Sequence, residues 1–304
     1  MAGRVVVMAR GRKIAKAAAR LLALLSLAPA LGGCVAALND AAAAGPGVST
    51  TRDLQYASGD RHGIDVYQPH QPSGNMRGGL PVVVFIYGGS WQEGKRADYR
   101  FVGAALARHG YLTFIPDYRL YPQAHYPDFI RDTAQAVRFA QQHAAQYGGD
   151  PHKLVLVGHS AGSYMVAMLA LDPRWLHEVG MDPVRDLRAA VGLAGPYDFL
   201  PLHDDKLAAI FTTPAGLPAT QPINYVSGVA PPMLLLAGRN DKLVDPGNSE
   251  RLAAAIRAKG GDVSLTMYPR AAHTVIIGAF APALRFLSPS FGDTVNFIDA
   301  HVQP

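Results

Sequence analysis

Almost continuously apolar runs alternate with segments of helical periodicity along most of the chain, and this alternation constrains the fold more than any other feature. Six runs are predicted as strands: Pro81–Tyr87, Tyr111–Pro116, Lys153–Gly158, Ala189–Gly192, Met233–Ala237 and Val263–Tyr268. Strands that lack polar alternation are typical of sheets that helices cover on both faces. The alternation therefore predicts an α/β fold with a mostly parallel, doubly wound sheet and helices on both faces.

Helices are predicted between these strands at Asp98–His109, Asp128–Tyr147, Ser163–Leu171 and Ser249–Lys259. Proline stands before one of them and glycine follows three, as helix starts and stops require. Around Leu54–Gln68, period-two patterning predicts an antiparallel strand pair ahead of the parallel sheet. No internal repeat is visible, so residues 52–304 are predicted to form one domain.

The first 33 residues have the composition of an export signal. A basic region precedes the apolar run Leu21–Leu31, whose length of about eleven residues is too short for a membrane-spanning helix. Residues 31–34 (LGGC) resemble the lipobox of bacterial lipoproteins, in which the cysteine is lipidated and becomes the mature N-terminus. We therefore expect a lipoprotein-type signal peptide over residues 1–33, lipidation of Cys34, and a flexible tether rich in Ala and Gly over residues 34–51.

This leader determines both the expected location and the net charge of +5. A lipidated Cys34 would anchor the exported protein in the cell envelope, at the outer membrane of a Gram-negative host; an ordinary secretory signal, giving a periplasmic protein, is the alternative. The leader holds six basic side chains and no acidic one, which leaves 22 basic against 23 acidic residues elsewhere. A nucleic-acid partner is therefore not expected, because no excess of positive charge remains to neutralise phosphates. Cys34 is the only cysteine, which excludes an intramolecular disulfide framework.

A motif of the form G-x-S-x-G stands at the end of the third predicted strand. The strand runs directly into residues 158–162 (GHSAG), and the predicted helix Ser163–Leu171 follows. In this context the glycines permit a tight turn that lifts the Ser160 hydroxyl above the sheet edge, and the helix N-terminus offers the N–H of Ala161. We therefore predict that Ser160 is a nucleophile rather than a turn serine.

A nucleophilic serine needs a base, and the base needs an orienting acid; in this arrangement they follow the serine in the order acid, then histidine. Asp241 comes just after the fifth predicted strand, at the sheet edge where sites form, and Asp245 is the alternative acid, better suited to starting the next helix. His273 follows the sixth strand in a loop, whereas His301 falls near the chain end on a predicted helix. We predict Asp241 as the acid and His273 as the base; His159 is expected to pack near the turn.

Backbone donors for a developing oxyanion are predicted at the end of the first parallel strand. Residues 87–91 (YGGSW) follow that strand, and the glycine pair lets backbone N–H groups turn toward the serine. The side chain of Trp91 can form a wall of the pocket. An ordinary Gly-Gly turn is the alternative interpretation of this stretch.

Taken in order, these segments resemble the α/β-hydrolase superfamily and, within it, the esterase group with an H-G-G-x-W oxyanion motif. That group includes bacterial carboxylesterases and feruloyl-esterase-like, kynurenine-formamidase-like and isoprenylcysteine-methylesterase-like enzymes. The resemblance spans nearly all of residues 52–304. Besides the motifs above, it includes Ile64–Pro69 (IDVYQP), Asp117–Leu120 (DYRL) and Tyr147–Pro151 (YGGDP).

The resemblance implies the α/β-hydrolase fold and assigns a role to each predicted site residue. The triad would consist of Ser160, Asp241 and His273. The oxyanion N–H groups would come from Gly89, Ser90 and Ala161. Tyr87 stands where the group usually has histidine; that position orients the loop, so altered geometry is expected rather than loss of activity. No metal or organic cofactor is implied.

The expected function is hydrolysis of a small-molecule carboxylic ester through an acyl-enzyme. The stretch Ala194–Pro231 is too short for a bulky cap domain and is expected to form one wall or a small lid, which favours short-chain or aryl esters. Two alternatives stay open. An arylformamidase-like amidohydrolase would use the same triad, and a catalytically silent α/β-hydrolase-fold lipoprotein would use the fold only for binding.

Overall fold

Eight strands form a single sheet in the computed structural model, which describes residue 39, residues 47–70 and residues 78–302. The strands are β1 (Val48–Gln55), β2 (Gly63–Pro69), β3 (Leu80–Ile86), β4 (Leu112–Pro116), β5 (Gly149–His159), β6 (Leu187–Leu193), β7 (Met233–Gly238) and β8 (Val263–Tyr268). Their order across the sheet is β1-β2-β4-β3-β5-β6-β7-β8. The β1–β2 and β2–β4 pairs are antiparallel and the remaining pairs are parallel. This is the α/β-hydrolase fold, so the predicted fold class is confirmed.

Helices connect the parallel strands and cover the sheet. The α-helices are α1 (Arg100–His109), α2 (Asp128–His143), α3 (Ala161–Leu171), α4 (Arg174–His177), α5 (Pro183–Asp186), α6 (Asp205–Phe211), α7 (Gly247–Ala258), α8 (His273–Gly278) and α9 (Ser290–Val302). Short 3-10 helices span Arg96–Tyr99, Ala145–Tyr147, Leu217–Thr220, Pro222–Tyr225 and Pro282–Leu287.

The helices pack against one another and against the sheet. Helix α2 packs against α3. Tyr111, which lies just after α1, contacts α9, because its hydroxyl lies 2.7 Å from a carboxylate oxygen of Asp299 and 3.1 Å from the carbonyl oxygen of Val295. Every residue of β3 is buried, as expected of a strand that is covered on both faces. Strands β3 to β8 all run parallel to one another and so bring their carboxyl ends to one edge, where sites form in such sheets.

The domain begins earlier than the sequence predicts. Strand β1 starts at Val48, so residues 48–51 of the predicted tether pair with β2 instead. Asn39, also in the predicted tether, is buried; its amide donates to the carbonyl of Ala97 and its side-chain oxygen accepts from the N–H of Phe101. The prediction of a tether through residue 51 is wrong at this end, because an edge strand rich in polar residues gives no apolar signal. The predicted signal peptide and Cys34 lie outside the described residues.

Other boundaries shift for similar reasons. Strand β5 extends back to Gly149, which pairs with Leu80 across a register shift, so its first residues lack the apolar pattern of its end. The predicted helix Asp128–Tyr147 is α-helical only to His143. The predicted antiparallel pair ahead of the parallel sheet is confirmed as β1 and β2. Within the described part of the chain, none of the helices has the length and apolar character that crossing a membrane requires.

Candidate active site

Ser160 occupies a sharp turn between β5 and α3. Its backbone has φ of 55° and ψ of −122°, a conformation that is strained for a residue other than glycine. The glycines on both sides are sterically required: a Cβ on Gly162 would lie 2.0 Å from the carbonyl oxygen of Ile86, and one on Gly158 would lie 2.4 Å from the carbonyl oxygen of Gly162. The turn therefore holds the serine at the carboxyl edge of the sheet, where its backbone N–H donates to the carbonyl of Leu193.

The predicted acid and base lie side by side at the same edge. Asp241 follows β7, and His273 is the first residue of α8, shortly after β8. The Nδ1 atom of His273 lies 2.7 Å from Oδ2 of Asp241. The other carboxylate oxygen, Oδ1, accepts from the backbone N–H groups of Leu243 at 2.9 Å and Val244 at 3.0 Å. Both side chains are buried, so this pair is shielded from water.

Hydrogen bonds determine the ionisation of Asp241. Burial by itself raises the pKa of this carboxyl, but the bonds from His273 and from the backbone of Val244 and Leu243 outweigh burial and hold the pKa below 3.8. Since an ionised carboxylate only accepts hydrogen bonds, Nδ1 of His273 must carry the proton. The Nε2 atom of a neutral His273 is then the nitrogen that can accept a proton from a hydroxyl.

The alternative residues lie elsewhere. Asp245 is largely exposed, accepts from the N–H of Gly247 at the start of α7, and forms an ion pair with Arg251. His301 lies in α9, and its ring contacts the carbonyl of Phe297 within the same helix. Neither is bonded to the Asp241–His273 pair, so geometry favours Asp241 over Asp245.

His159 joins the serine turn to the histidine. Its ring centroid lies 4.8 Å from that of His273, and its Nε2 atom lies 3.4 Å from the backbone oxygen of His273. This contact brings the residue before Ser160 against the predicted base. His159 was expected to pack near the turn, and the structure confirms that expectation.

The burial of His159 predicts a specific loss of stability in acid. Burial, and in smaller part the neighbouring His273, lowers the pKa of His159 from 6.5 to about 3. The unfolded chain therefore binds a proton here over a pH range in which the folded chain does not. As the pH falls below about 6.5, we expect this residue to reduce the free energy of unfolding by about 0.7 kcal/mol per pH unit at first, and by close to 1.4 kcal/mol per pH unit between about pH 5.5 and 4.

Urea unfolding of the protein and of a His159→Gln variant over that pH range measures the difference in slope. The variant itself loses stability at every pH, so the slope and not the absolute value is the test. A His203→Gln variant, which removes an exposed histidine, is the matched control. Equal slopes for the protein and the His159→Gln variant would contradict the prediction.

The loop after β3 lies against the serine turn. A Cβ on Gly88 would lie 2.7 Å from the Cβ of Ser160, and φ is positive at three successive residues: Gly89 (131°), Ser90 (51°) and Trp91 (59°). In the described part of the chain, the backbone N–H groups of Gly89, Ser90 and Ala161 donate to no other group. These three donors are therefore available to a ligand beside Ser160, as an oxyanion site needs.

A cavity of about 610 Å³ opens beside the serine. Its floor includes Ser90, Trp91 and Ser160, and part of its wall comes from residues 196–207. The stretch Ala194–Pro231 was predicted to form one wall, and the structure confirms this for residues 196–207. Buried Asn248 holds this wall, because its side-chain oxygen accepts from the backbone N–H groups of Tyr197 and Asp198. The described residues contain no group of three or more His, Cys, Asp or Glu side chains that could hold a metal ion.

Arg61 and Asp117, which bind Tyr87 beside the loop after β3, were not predicted from the sequence to belong to the site. Tyr87 is fully buried, and its hydroxyl donates to Asp117 at 2.8 Å while accepting from Arg61 at 2.9 Å. Asp117 was noted only as part of a family motif, and Arg61 belongs to no motif. Their partners lie far away in the sequence, which is why no local pattern identifies them.

Comparison with known proteins identifies the family to which this chain is similar and several related sequences. The BD-FAE family model matches residues 64–256. The isoprenylcysteine alpha-carbonyl methylesterase of Arabidopsis thaliana is 27% identical over 243 residues, which cover 73% of this chain and 56% of that protein. The probable carboxylic ester hydrolase LipM of Mycobacterium tuberculosis is 30% identical over 210 residues, which cover 63% of this chain and 48% of that protein. The chain thus spans only about half the length of these relatives.

Solved structures share the fold. Esterase B from Lactobacillus rhamnosus superposes with a TM-score of 0.74 at 20% identity, over 93% of this chain and 96% of that one. Esterase 2 of Thermogutta terrifontis superposes with a TM-score of 0.67 at 24% identity, over 85% of this chain and 97% of that one. At these identities the likeness concerns the fold.

Proposed function

Because this chain belongs to the BD-FAE family, we propose that it is a serine hydrolase of the carboxylesterase type. Its Ser160 would attack small-molecule carboxylic esters and form an acyl-enzyme. One observation carries the proposal: the buried hydrogen bond between Asp241 and His273 lies directly beside the strained Ser160 turn. The esterase names of several relatives support the same reaction.

In the proposed mechanism each residue has one task. His273 takes the hydroxyl proton of Ser160 as the oxygen attacks the ester carbonyl, and it returns that proton to the leaving alcohol. Ionised Asp241 keeps the proton-bearing Nδ1 of His273 oriented and stabilises the imidazolium that forms. A water molecule then repeats the sequence on the acyl-enzyme and releases the acid.

The developing oxyanion needs donors that are fixed before the reaction starts. The unoccupied N–H groups of Gly89, Ser90 and Ala161 meet that need, because they lie on the loop and the helix start that flank Ser160. Such donors lower the barrier since they bind the tetrahedral intermediate more strongly than the planar ester. The tight backbone around Gly88 and Gly162 keeps both sets of donors in place.

We propose that the cavity accepts esters with a short-chain or aryl group. Trp91 and Phe199 contribute aromatic surface, and Leu202 and Leu207 contribute aliphatic surface. A volume of about 610 Å³ lies within the range that encloses one small organic molecule. We infer that an acetyl to butyryl or an aryl group would be enclosed, while a long acyl chain would extend past the wall formed by residues 196–207.

A series of p-nitrophenyl esters from acetate to palmitate, together with an N-formyl arylamide, tests this proposal. We expect kcat/KM to be highest for the short chains and to fall by at least about tenfold, or 1.4 kcal/mol, for palmitate. A preference for the formamide would support the amidohydrolase instead. No turnover on any of these compounds, and no labelling of Ser160 by a fluorophosphonate, would favour the silent binding protein.

A further inference from the structure

The loop that carries the proposed oxyanion donors adopts a costly conformation. Ser90 and Trp91 both have positive φ values, which non-glycine residues adopt only when surrounding contacts enforce them. Contacts within the loop are few: the N–H groups of Gln92 and Glu93 both donate to the carbonyl of Gly89. Other parts of the molecule must therefore fix the direction of the donors.

Arg61 supplies such contacts from the turn between β1 and β2. Its Nη2 atom donates to the hydroxyl of Tyr87 at 2.9 Å and to the carbonyl of Gly94 at 2.7 Å, so it joins both ends of the loop. Its Nε atom donates to the carbonyl of Tyr118 at 2.9 Å, which connects the loop to the segment after β4. One guanidinium thus holds three segments together.

Tyr87 passes this contact on to a buried carboxylate. The Tyr87 hydroxyl donates to Oδ1 of Asp117, which also accepts the backbone N–H of Arg96 at 2.7 Å. The Tyr118 hydroxyl in turn donates to the carbonyl of Tyr87 at 2.9 Å, and the two rings stack with centroids 4.7 Å apart. The Tyr87 hydroxyl thus accepts a hydrogen bond from Arg61 and donates one to Asp117, so it links the two side chains.

We propose that Arg61 is a positioning residue for the oxyanion site, acting through Tyr87 and Gly94. The inference rests on the proposed function, because it gives Arg61 a role in the reaction at Ser160. Arg61 is not among the residues that line the cavity; it sets the conformation of residues 88–93 and hence the direction of the N–H groups of Gly89 and Ser90. Its effect is therefore specific to the tetrahedral intermediate and leaves the binding of the planar ester unchanged.

The network predicts that the fold survives the loss of Arg61. Asp117 keeps its partners in Arg96, whose side chain and backbone N–H both bind it, so no buried charge is left unpaired. The Arg61 side chain is about one third exposed, and the apolar stem of an Arg61→Met variant fits the same space. What is lost is the connection between the two ends of the loop.

The experiment compares Arg61→Met and Arg61→Lys with the unaltered protein. For short-chain ester hydrolysis we expect Arg61→Met to lower kcat by about tenfold to a hundredfold, less than the loss of a whole oxyanion donor, with KM unchanged. The second-order rate constant of fluorophosphonate labelling at Ser160 should fall in parallel, because that adduct also places an oxygen at the donors. Arg61→Lys should lie between the two, and added guanidinium should restore part of the Arg61→Met rate.

A second pair of variants separates positioning from general damage. Tyr87→Phe interrupts the same connection, so the double variant with Arg61→Met should cost no more than the larger single loss. Arg174→Ala is the matched control. Like Arg61, Arg174 pairs with a buried aspartate, here Asp172; unlike Arg61, it bonds to Asp172 and Tyr225 and not to residues 87–94. We expect its labelling rate to remain within a factor of about two of the unaltered protein.

Each outcome decides between the two proposals. Labelling and kcat at the unaltered level in Arg61→Met, or a rise in KM alone, would overturn the positioning role while leaving the hydrolase intact. An unaltered protein whose Ser160 does not label, or turnover that persists in Ser160→Ala, would overturn the proposed function itself and this inference with it. Should Arg61→Met fail to fold, Arg61→Lys and Tyr87→Phe decide, and unaltered labelling in both would overturn the positioning role.

Discussion

Replacement of Ser160 by alanine is expected to lower kcat for ester hydrolysis by a factor on the order of 10⁶, because the triad acts as a unit and no acyl-enzyme can form. The substitution removes one oxygen from a buried turn whose conformation is set by Gly158 and Gly162, so the fold should be unchanged. The measurement is steady-state hydrolysis of a short-chain p-nitrophenyl ester together with fluorophosphonate labelling. The labelling signal should disappear completely.

Ser163 gives a matched control for this experiment. It lies in the same helix start, is fully buried, and its hydroxyl pairs with that of Tyr197 at 2.6 Å, so Ser163→Ala removes a nearby hydroxyl that has a structural partner. We expect Ser163→Ala to reduce stability while labelling at Ser160 continues. Turnover retained in Ser160→Ala would mean that another group is the nucleophile.

Substitution of Asp241 by asparagine is expected to lower kcat by about 10⁴-fold, the size of the loss that the same change causes in serine proteases. The amide is nearly the same size as the carboxylate but cannot carry its charge. The N–H groups of Leu243 and Val244 hold the amide oxygen, so the NH₂ group faces Nδ1 of His273. That contact favours the tautomer with a proton on Nε2, which cannot accept the serine proton.

Asp245→Asn is the control, because Asp245 was the alternative acid and stands only four residues further along the chain. Its carboxylate pairs with Arg251 at the cavity rim, so we expect a kcat within about twofold of the unaltered protein. The measurement is hydrolysis of the same ester at pH values from about 6 to 9. A large loss in Asp245→Asn with little in Asp241→Asn would reverse the assignment.

Much of this site could be predicted from the sequence because short-range rules determine it. A G-x-S-x-G motif between an apolar strand and a helix permits few backbone conformations, and the structure has the strained turn at Ser160 that the motif requires. Asp241 and His273 were predicted to meet because each follows a strand, and parallel strands bring their carboxyl ends together. The contact between Asp241 and His273 is the geometric result of that rule.

The parts that escaped prediction depend on contacts between distant segments. Arg61 lies 26 residues before Tyr87 and 57 before Tyr118, and nothing in the local sequence links them. The start of β1 at Val48 depends in the same way on pairing with β2. The wall formed by residues 196–207 was expected in outline, but its attachment through Asn248 depends on a side chain about 50 residues away.

The close backbone packing around Gly88, Gly158 and Gly162 has a consequence for how such a site can change over time. A side chain at Gly88 would collide with the backbone of His159, and one at Gly162 would collide with the carbonyl groups of Ile86 and Tyr87, so either would separate the serine turn from the segment after β3. A side chain at Gly158 would collide with the carbonyl of Gly162 inside the serine turn itself. Variation must then accumulate elsewhere, and the wall between β6 and β7 is the part of the cavity free to accept it. Libraries that aim to alter substrate range should therefore diversify residues 198–207 and keep the glycines fixed.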